Sequence, residues 1–121
     1  MTDEEIIRIA EELLEELPAD IGQALENVAI LVQDRPSAEQ KRRLHLPRGG
    51  MLLGLYEGVP LNRQSVFNPL PVPASIVLFR ENIERVAPAP DVFRERLRLT
   101  LFHEIGHHLG FDEDDLRQRG L

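Results

Sequence analysis

Apolar residues near the amino terminus recur at helical spacing. Ile6, Ile9, Ala10, Leu13, Leu14 and Leu17 share one face, and Pro18 stops the run. Thr2 ahead of Asp3 predicts an N-cap, with Glu5 closing a capping box. Glu4, Glu5, Glu11, Glu12, Glu15 and Glu16 fall largely on the opposite side and read as a solvated face. Beyond Pro18 the stretch IGQALENV predicts a short helix capped by Asp20. The run VAILVQD is apolar and β-branched with Pro36 soon after it, which predicts a buried strand.

Residues 35–50 (RPSAEQKRRLHLPRGG) lose that periodicity and read as a loop with a small basic cluster of Lys41, Arg42, Arg43 and Arg48. His45 stands alone there and reads as a polar surface residue. MLLGLYEGVPL predicts a second strand, with Gly54 marking a bulge or a close backbone approach. Residues 58–75 hold four prolines and a glycine, a long irregular connection of the kind that tends to serve function. SIVLFR predicts a third strand and ENIERVA one or two turns of helix, broken by APAP. Asp91 is expected to cap the longest helix, VFRERLRLTLFHEIGHHL, which Gly110 ends as a C′ glycine; Asp112 to Gln118 form a last short helix.

This order predicts an α+β fold over residues 1–121 as a single domain. A short mixed or antiparallel sheet of three to four strands is packed by helices, with the histidine-bearing helix near the carboxy terminus. A chain of 121 residues suffices for one core, since folding at this size buries roughly two-thirds of the unfolded surface. A hydrophobic content of 42% with 29% charged residues is globular. A net charge of −7 argues against a nucleic-acid partner. No apolar run approaches the ~18–20 residues of a membrane span, and the acidic start MTDEEII is unlike a signal peptide. The expected setting is therefore cytoplasmic, without a membrane partner, as a monomer or weak homo-oligomer. Thirteen of fourteen basic residues are arginine, which reads as compositional bias.

Candidate chemistry concentrates in LFHEIGHHLGFDEDDL, residues 101–116, which carries three of the four histidines. Cysteine is absent, so a metal can be held only by His, Asp or Glu. His103 and His107 are four residues apart, which on a helix stacks both imidazoles on one face, about 5–6 Å apart, within reach of one ion. Glu104 lies to the side of that pair, displaced as a ligand but able to touch a metal-bound water. Two neutral nitrogen ligands, a separate carboxylate base and an open coordination position are what metal-assisted hydrolysis needs. Apolar neighbours on nearly every side imply a mostly buried helix, in which half-buried histidines require partners.

Two histidines leave a zinc ion short of its usual third protein ligand. Gly110 permits a positive φ that turns the chain back, and Glu113, then Asp112, then Asp114 or a distant residue are the candidates. Asp112 has a competing role as N-cap of the last helix; if it caps, Glu113 is free to ligate. His108 projects about 100° from His107 and reads as a packing or supporting residue.

The string HEIGHHLGFDE resembles the extended signature HExxHxxGxxD of zincin metallopeptidases. With LLGLYEGVPL and SIVLFRENIERV upstream, the chain is similar to a family of small bacterial minimal-zincin metallopeptidase-like proteins. The resemblance implies a short sheet backed by helices and a bound Zn2+ ion. Position by position it makes His103 and His107 metal ligands, Glu104 the catalytic base, Gly110 the turn, and position 113 the third ligand. That position is Glu113 where the signature has Asp. The methionine turn of larger metzincins has no counterpart: none of the fourteen residues after His107 is Met, and Met51 lies far upstream.

The function expected is a zinc-dependent hydrolase cleaving a peptide or protein substrate, with Tyr56 or His108 as candidate second electrophiles. Tyr56 in an apolar strand reads first as core. Residues 52–59 or the 62–75 connection are expected to offer a sheet edge for strand addition. The rival expectation is a catalytically weak or inactive zinc-binding module acting in regulation or peptide binding, because a chain without the carboxy-terminal subdomain of full-size proteases builds little cleft. Deformylase-like chemistry is disfavoured by the missing cysteine ligand.

Overall fold

The computed structural model describes residues 1–43, 51–60, 63 and 73–118, without the side chains of Glu113, Leu116 and Arg117. His45, Arg48 and most of the 62–75 connection lie outside the described residues. The elements in chain order are α1 (Asp3–Leu14), α2 (Ala19–Ala24), β1 (Val28–Gln33), α3 (Ala38–Arg43), β2 (Gly54–Glu57), β3 (Ala74–Phe79), α4 (Arg80–Val86), α5 (Pro90–His108) and α6 (Glu113–Gln118).

The sheet is mixed, in the order β1-β3-β2. Strand β3 is central, parallel to β1 with Ile30 opposite Ile76, and antiparallel to β2 with Tyr56 opposite Ile76. Its residues are buried almost throughout because it is covered on both edges and both faces. VAILVQ, expected to be a buried strand, forms instead at an edge of the described sheet and is only half-buried; Leu31 is 48% exposed. Its pairing to β3 satisfies the backbone while one face stays in solvent, which an apolar composition alone does not reveal.

α1 and α5 cover the other face. Ile6, Ala10 and Leu13 of α1 meet Phe93, Leu97, Leu101, Phe102 and Ile105 of α5 over Ile76 and Leu78, with Ile83 closing the core. Burying each of these large side chains contributes about 1.5–3 kcal/mol. At the margin Glu12 pairs with Arg94 at 2.9 Å and Glu16 with Arg98 at 3.8 Å, tying α1 to α5. Arg80 spans Asp34 at 2.6 Å, Asp3 at 3.3 Å and Glu84 at 3.4 Å, linking three elements with one guanidinium.

Helix ends follow local chemistry, with four departures from expectation. Glu5 N–H donates to Thr2 Oγ1 at 3.2 Å, as predicted for α1. Asp20 and Asp91 do not cap: Pro18 and Ala89 occupy those positions, and the two carboxylates sit inside the first turns, where the helix dipole favours them. Proline at N1 starts α5 two residues earlier than an Asp91 cap would. The predicted loop at 35–50 contains α3, started by a capping box in which Gln40 N–H donates to Ser37 Oγ at 3.1 Å and Ser37 N–H to Gln40 Oε1 at 2.8 Å. That S-x-x-Q signal was present in the sequence, behind the basic cluster that masked it. The second strand is shorter than MLLGLYEGVPL, confined to Gly54–Glu57.

Candidate metal centre

Helix α5 presents two faces with different duties. Leu97, Leu101 and Ile105 enter the core, while Arg96, Thr100, His103 and His107 follow one another at three- and four-residue steps along the side bordering β2. His103, Glu104 and His107 each offer a ligand atom, and these atoms lie within 4.8 Å of one another. The two imidazole rings stand 4.8 Å apart between centroids at 78°. All three residues are at least partly withdrawn from solvent.

A tetrahedral ion with nitrogen ligands at ~2.0–2.1 Å places its ligand atoms ~3.4 Å apart. Rotation of the imidazoles within the broad χ2 well covers the remaining difference. The donor set therefore fits a borderline-soft divalent ion such as zinc: two imidazoles on one helical turn and a carboxylate beside them.

Glu104 is held from across the groove. Its Oε2 accepts the Tyr56 backbone N–H of β2 at 2.9 Å. That N–H is available because β2 uses alternate residues to pair with β3: Phe79 N–H donates to Leu53 O at 2.9 Å, so Gly54 and Tyr56 direct their backbone groups away from the sheet. Gly54 lets β2 come this close. A Cβ there would meet Thr100 Cγ2 at 2.7 Å and Glu104 Cγ at 3.4 Å. The expected close backbone approach at Gly54 is thus what brings the Tyr56 amide to Glu104.

His108 supports the site without joining it. It is 3% exposed, with Nε2 against Ala24 O at 2.9 Å and Nδ1 against the Tyr56 hydroxyl at 2.7 Å. The Tyr56 hydroxyl also donates to Val59 O at 3.1 Å. Desolvation raises the Tyr56 hydroxyl pKa above its ordinary value. Tyr56 is thereby a clamp between β2 and the end of α5 and is not presented as an electrophile. Met51 is 42% exposed and precedes β2.

The end of α5 is a Schellman turn. Gly110 takes φ +90° as predicted, its N–H donates to His107 O at 3.0 Å, and Phe111 N–H donates to Gly106 O at 2.9 Å. Asp112 then caps α6: Asp115 N–H donates to Asp112 Oδ1 at 2.8 Å and Asp112 N–H returns to Asp115 Oδ2 at 3.1 Å. This reciprocal cap engages the Asp112 carboxylate. Glu113 begins α6 directly after the turn, and its side chain lies outside the described residues.

A groove of about 500 Å³ opens beside His103 and Glu104, walled by Leu52, Leu53 and Gly54 on one side and by Arg96, Leu99 and Thr100 on the other. Arg96, Leu99 and Thr100 were not legible as site residues, because only the packing of β2 on α5 makes them a wall. Among the described residues no helix is long and apolar enough to cross a membrane.

A family model described as zincin-like metallopeptidase matches residues 25–121. No curated protein matches the chain.

Proposed function

The chain belongs to the zincin-like metallopeptidase family, and from that premise we propose that it is a zinc-dependent peptidase acting on peptide or protein substrates. His103 and His107 hold the ion, Glu113 is the third ligand, and Glu104 is the general base. The observation that carries this reading is the convergence of His103, Glu104 and His107 ligand atoms within 4.8 Å beside an accessible groove.

When bound, zinc would acidify a coordinated water and polarise the substrate carbonyl. The residues supply the rest. Glu104, oriented by the Tyr56 N–H, takes a proton from the attacking water and delivers it to the departing amine. The outward backbone of β2 at Gly54 aligns an extended peptide by strand addition. Asp112, engaged as a cap, leaves Glu113 as the carboxylate that follows the glycine turn. A non-cleaving zinc-binding module is the alternative, favoured by the engagement of the Tyr56 hydroxyl with His108 and Val59 rather than with the groove.

The test combines metal analysis with cleavage of an unbiased peptide library. Wild-type protein is expected to bind one zinc and cleave peptides, and Glu104→Gln to retain the zinc and lose turnover. Zinc-loaded wild type that cleaves nothing supports the module. Protein that binds no zinc defeats both readings.

A further inference from the structure

Arg94, Arg96 and Arg98 lie within one turn of α5, yet they meet different surroundings. Arg94 and Arg98 reach back to Glu12 and Glu16 of α1. Arg96 projects into the groove with Leu99 and His103, exposed and without an ion pair among the described residues. In a protein of net charge −7, this places an uncompensated guanidinium in the wall beside the metal centre.

Resting on the peptidase reading, we infer that Arg96 selects substrates by a carboxylate about three residues to the carboxy-terminal side of the cleaved bond. The spacing follows from geometry. Arg96 and His103 are seven residues apart on one helix face, a rise of ~10.5 Å at ~1.5 Å per residue. An extended peptide covers that distance in about three residues at ~3.4 Å each. The direction follows from pairing. Antiparallel pairing is the more stable ladder, and a peptide so added runs from Glu57 towards Leu52; Gly54 lies against Thr100 and Tyr56 against Glu104, so the Leu52 end is the Arg96 end of α5. Leu52, Leu53 and Leu99 give the intervening residues an apolar wall, and the planar guanidinium accepts a carboxylate through two parallel N–H donors. An acidic side chain and a free chain end present the same group.

The experiment measures both cleavage by the zinc-loaded enzyme and binding to its Glu104→Gln form. The peptides are identical except for Glu, Gln or Lys at the third position beyond the cleaved bond, and a fourth ends there in a free carboxylate. Wild type is expected to favour Glu over Gln about two- to fivefold in kcat/KM and in affinity, as an exposed charge pair predicts, and to disfavour Lys. Arg96→Gln is expected to erase the ratio, Arg96→Glu to invert it towards Lys, and Arg94→Gln to leave it unchanged. Added salt is expected to shrink it. A preference for the free terminus alone, lost in Arg96→Gln, supports the site as a reader of chain ends. If Arg96→Gln discriminates the peptides as wild type does, or wild type does not discriminate at all, the inference is overturned. Absence of cleavage with Arg96-dependent binding retained in Glu104→Gln overturns only the peptidase reading.

Discussion

Glu104 and Tyr56 are joined by a backbone hydrogen bond of 2.9 Å across 48 residues of sequence. The bond commits one carboxylate oxygen to β2, so the orientation of Glu104 depends on how closely β2 sits against α5. Since Gly54 sets that approach, the geometry of the candidate site is a property of strand packing as much as of the histidine helix.

Gly54→Ala is expected to push β2 off α5, because the added Cβ would lie 2.7 Å from Thr100 Cγ2. Such overpacking costs about 1–3 kcal/mol. Thr100→Ser removes the opposing methyl and retains the hydroxyl that donates to Arg96 O at 2.8 Å. Urea denaturation of the single and double variants checks this. Failure of Thr100→Ser to restore most of the loss would show that strain elsewhere dominates.

The two carboxylates that open α6 are expected to respond differently to substitution. Asp112→Asn, which preserves an N-cap acceptor, is expected to leave zinc affinity within a few-fold of wild type, while Asp112→Ala costs about 0.5–2 kcal/mol of stability. Glu113→Gln is expected to weaken zinc by on the order of 100-fold or more, beyond the ~10–100-fold typical of outer-sphere changes. Competition with a chromophoric chelator measures both. Equal losses in Asp112→Asn and Glu113→Gln would contradict the assignment.

Tyr56 is the single tyrosine and tryptophan is absent, so its ionisation can be followed by absorbance without deconvolution. Desolvation raises its pKa from the ordinary 10.0, and the titration midpoint is expected above that value in folded protein. The linkage has a definite sign. The unfolded chain releases the phenolic proton first, so this contribution to stability is complete below pH 10.0 and is lost as pH rises through the folded pKa. A midpoint at or below the ordinary value would place the ring in water.

Tyr56→Phe deletes the hydroxyl that meets the buried His108 Nδ1, leaving that nitrogen without this partner at a cost of about 1–3 kcal/mol. Zinc stoichiometry is expected to stay at wild-type level, because the deleted group is a clamp and not a ligand. Thermal denaturation and metal analysis on one preparation test both halves. Loss of zinc without loss of stability would instead put the hydroxyl in the metal site.

Features that depend on neighbours along the chain were legible in its residue order. His103 and His107 share one helix face because helical geometry stacks residues four apart, and Gly110 turns the chain because a glycine accepts φ +90°. The S-x-x-Q box at Ser37 and the proline at N1 of α5 belong to the same local class, although other signals nearby obscured them. Long-range packing alone made β1 a half-exposed edge of the described sheet and let Tyr56 offer Glu104 its amide while its hydroxyl goes to His108. Those outcomes turn on which backbone groups the mixed sheet leaves outward and how near β2 can approach α5. Both are set by long-range packing that no local periodicity encodes.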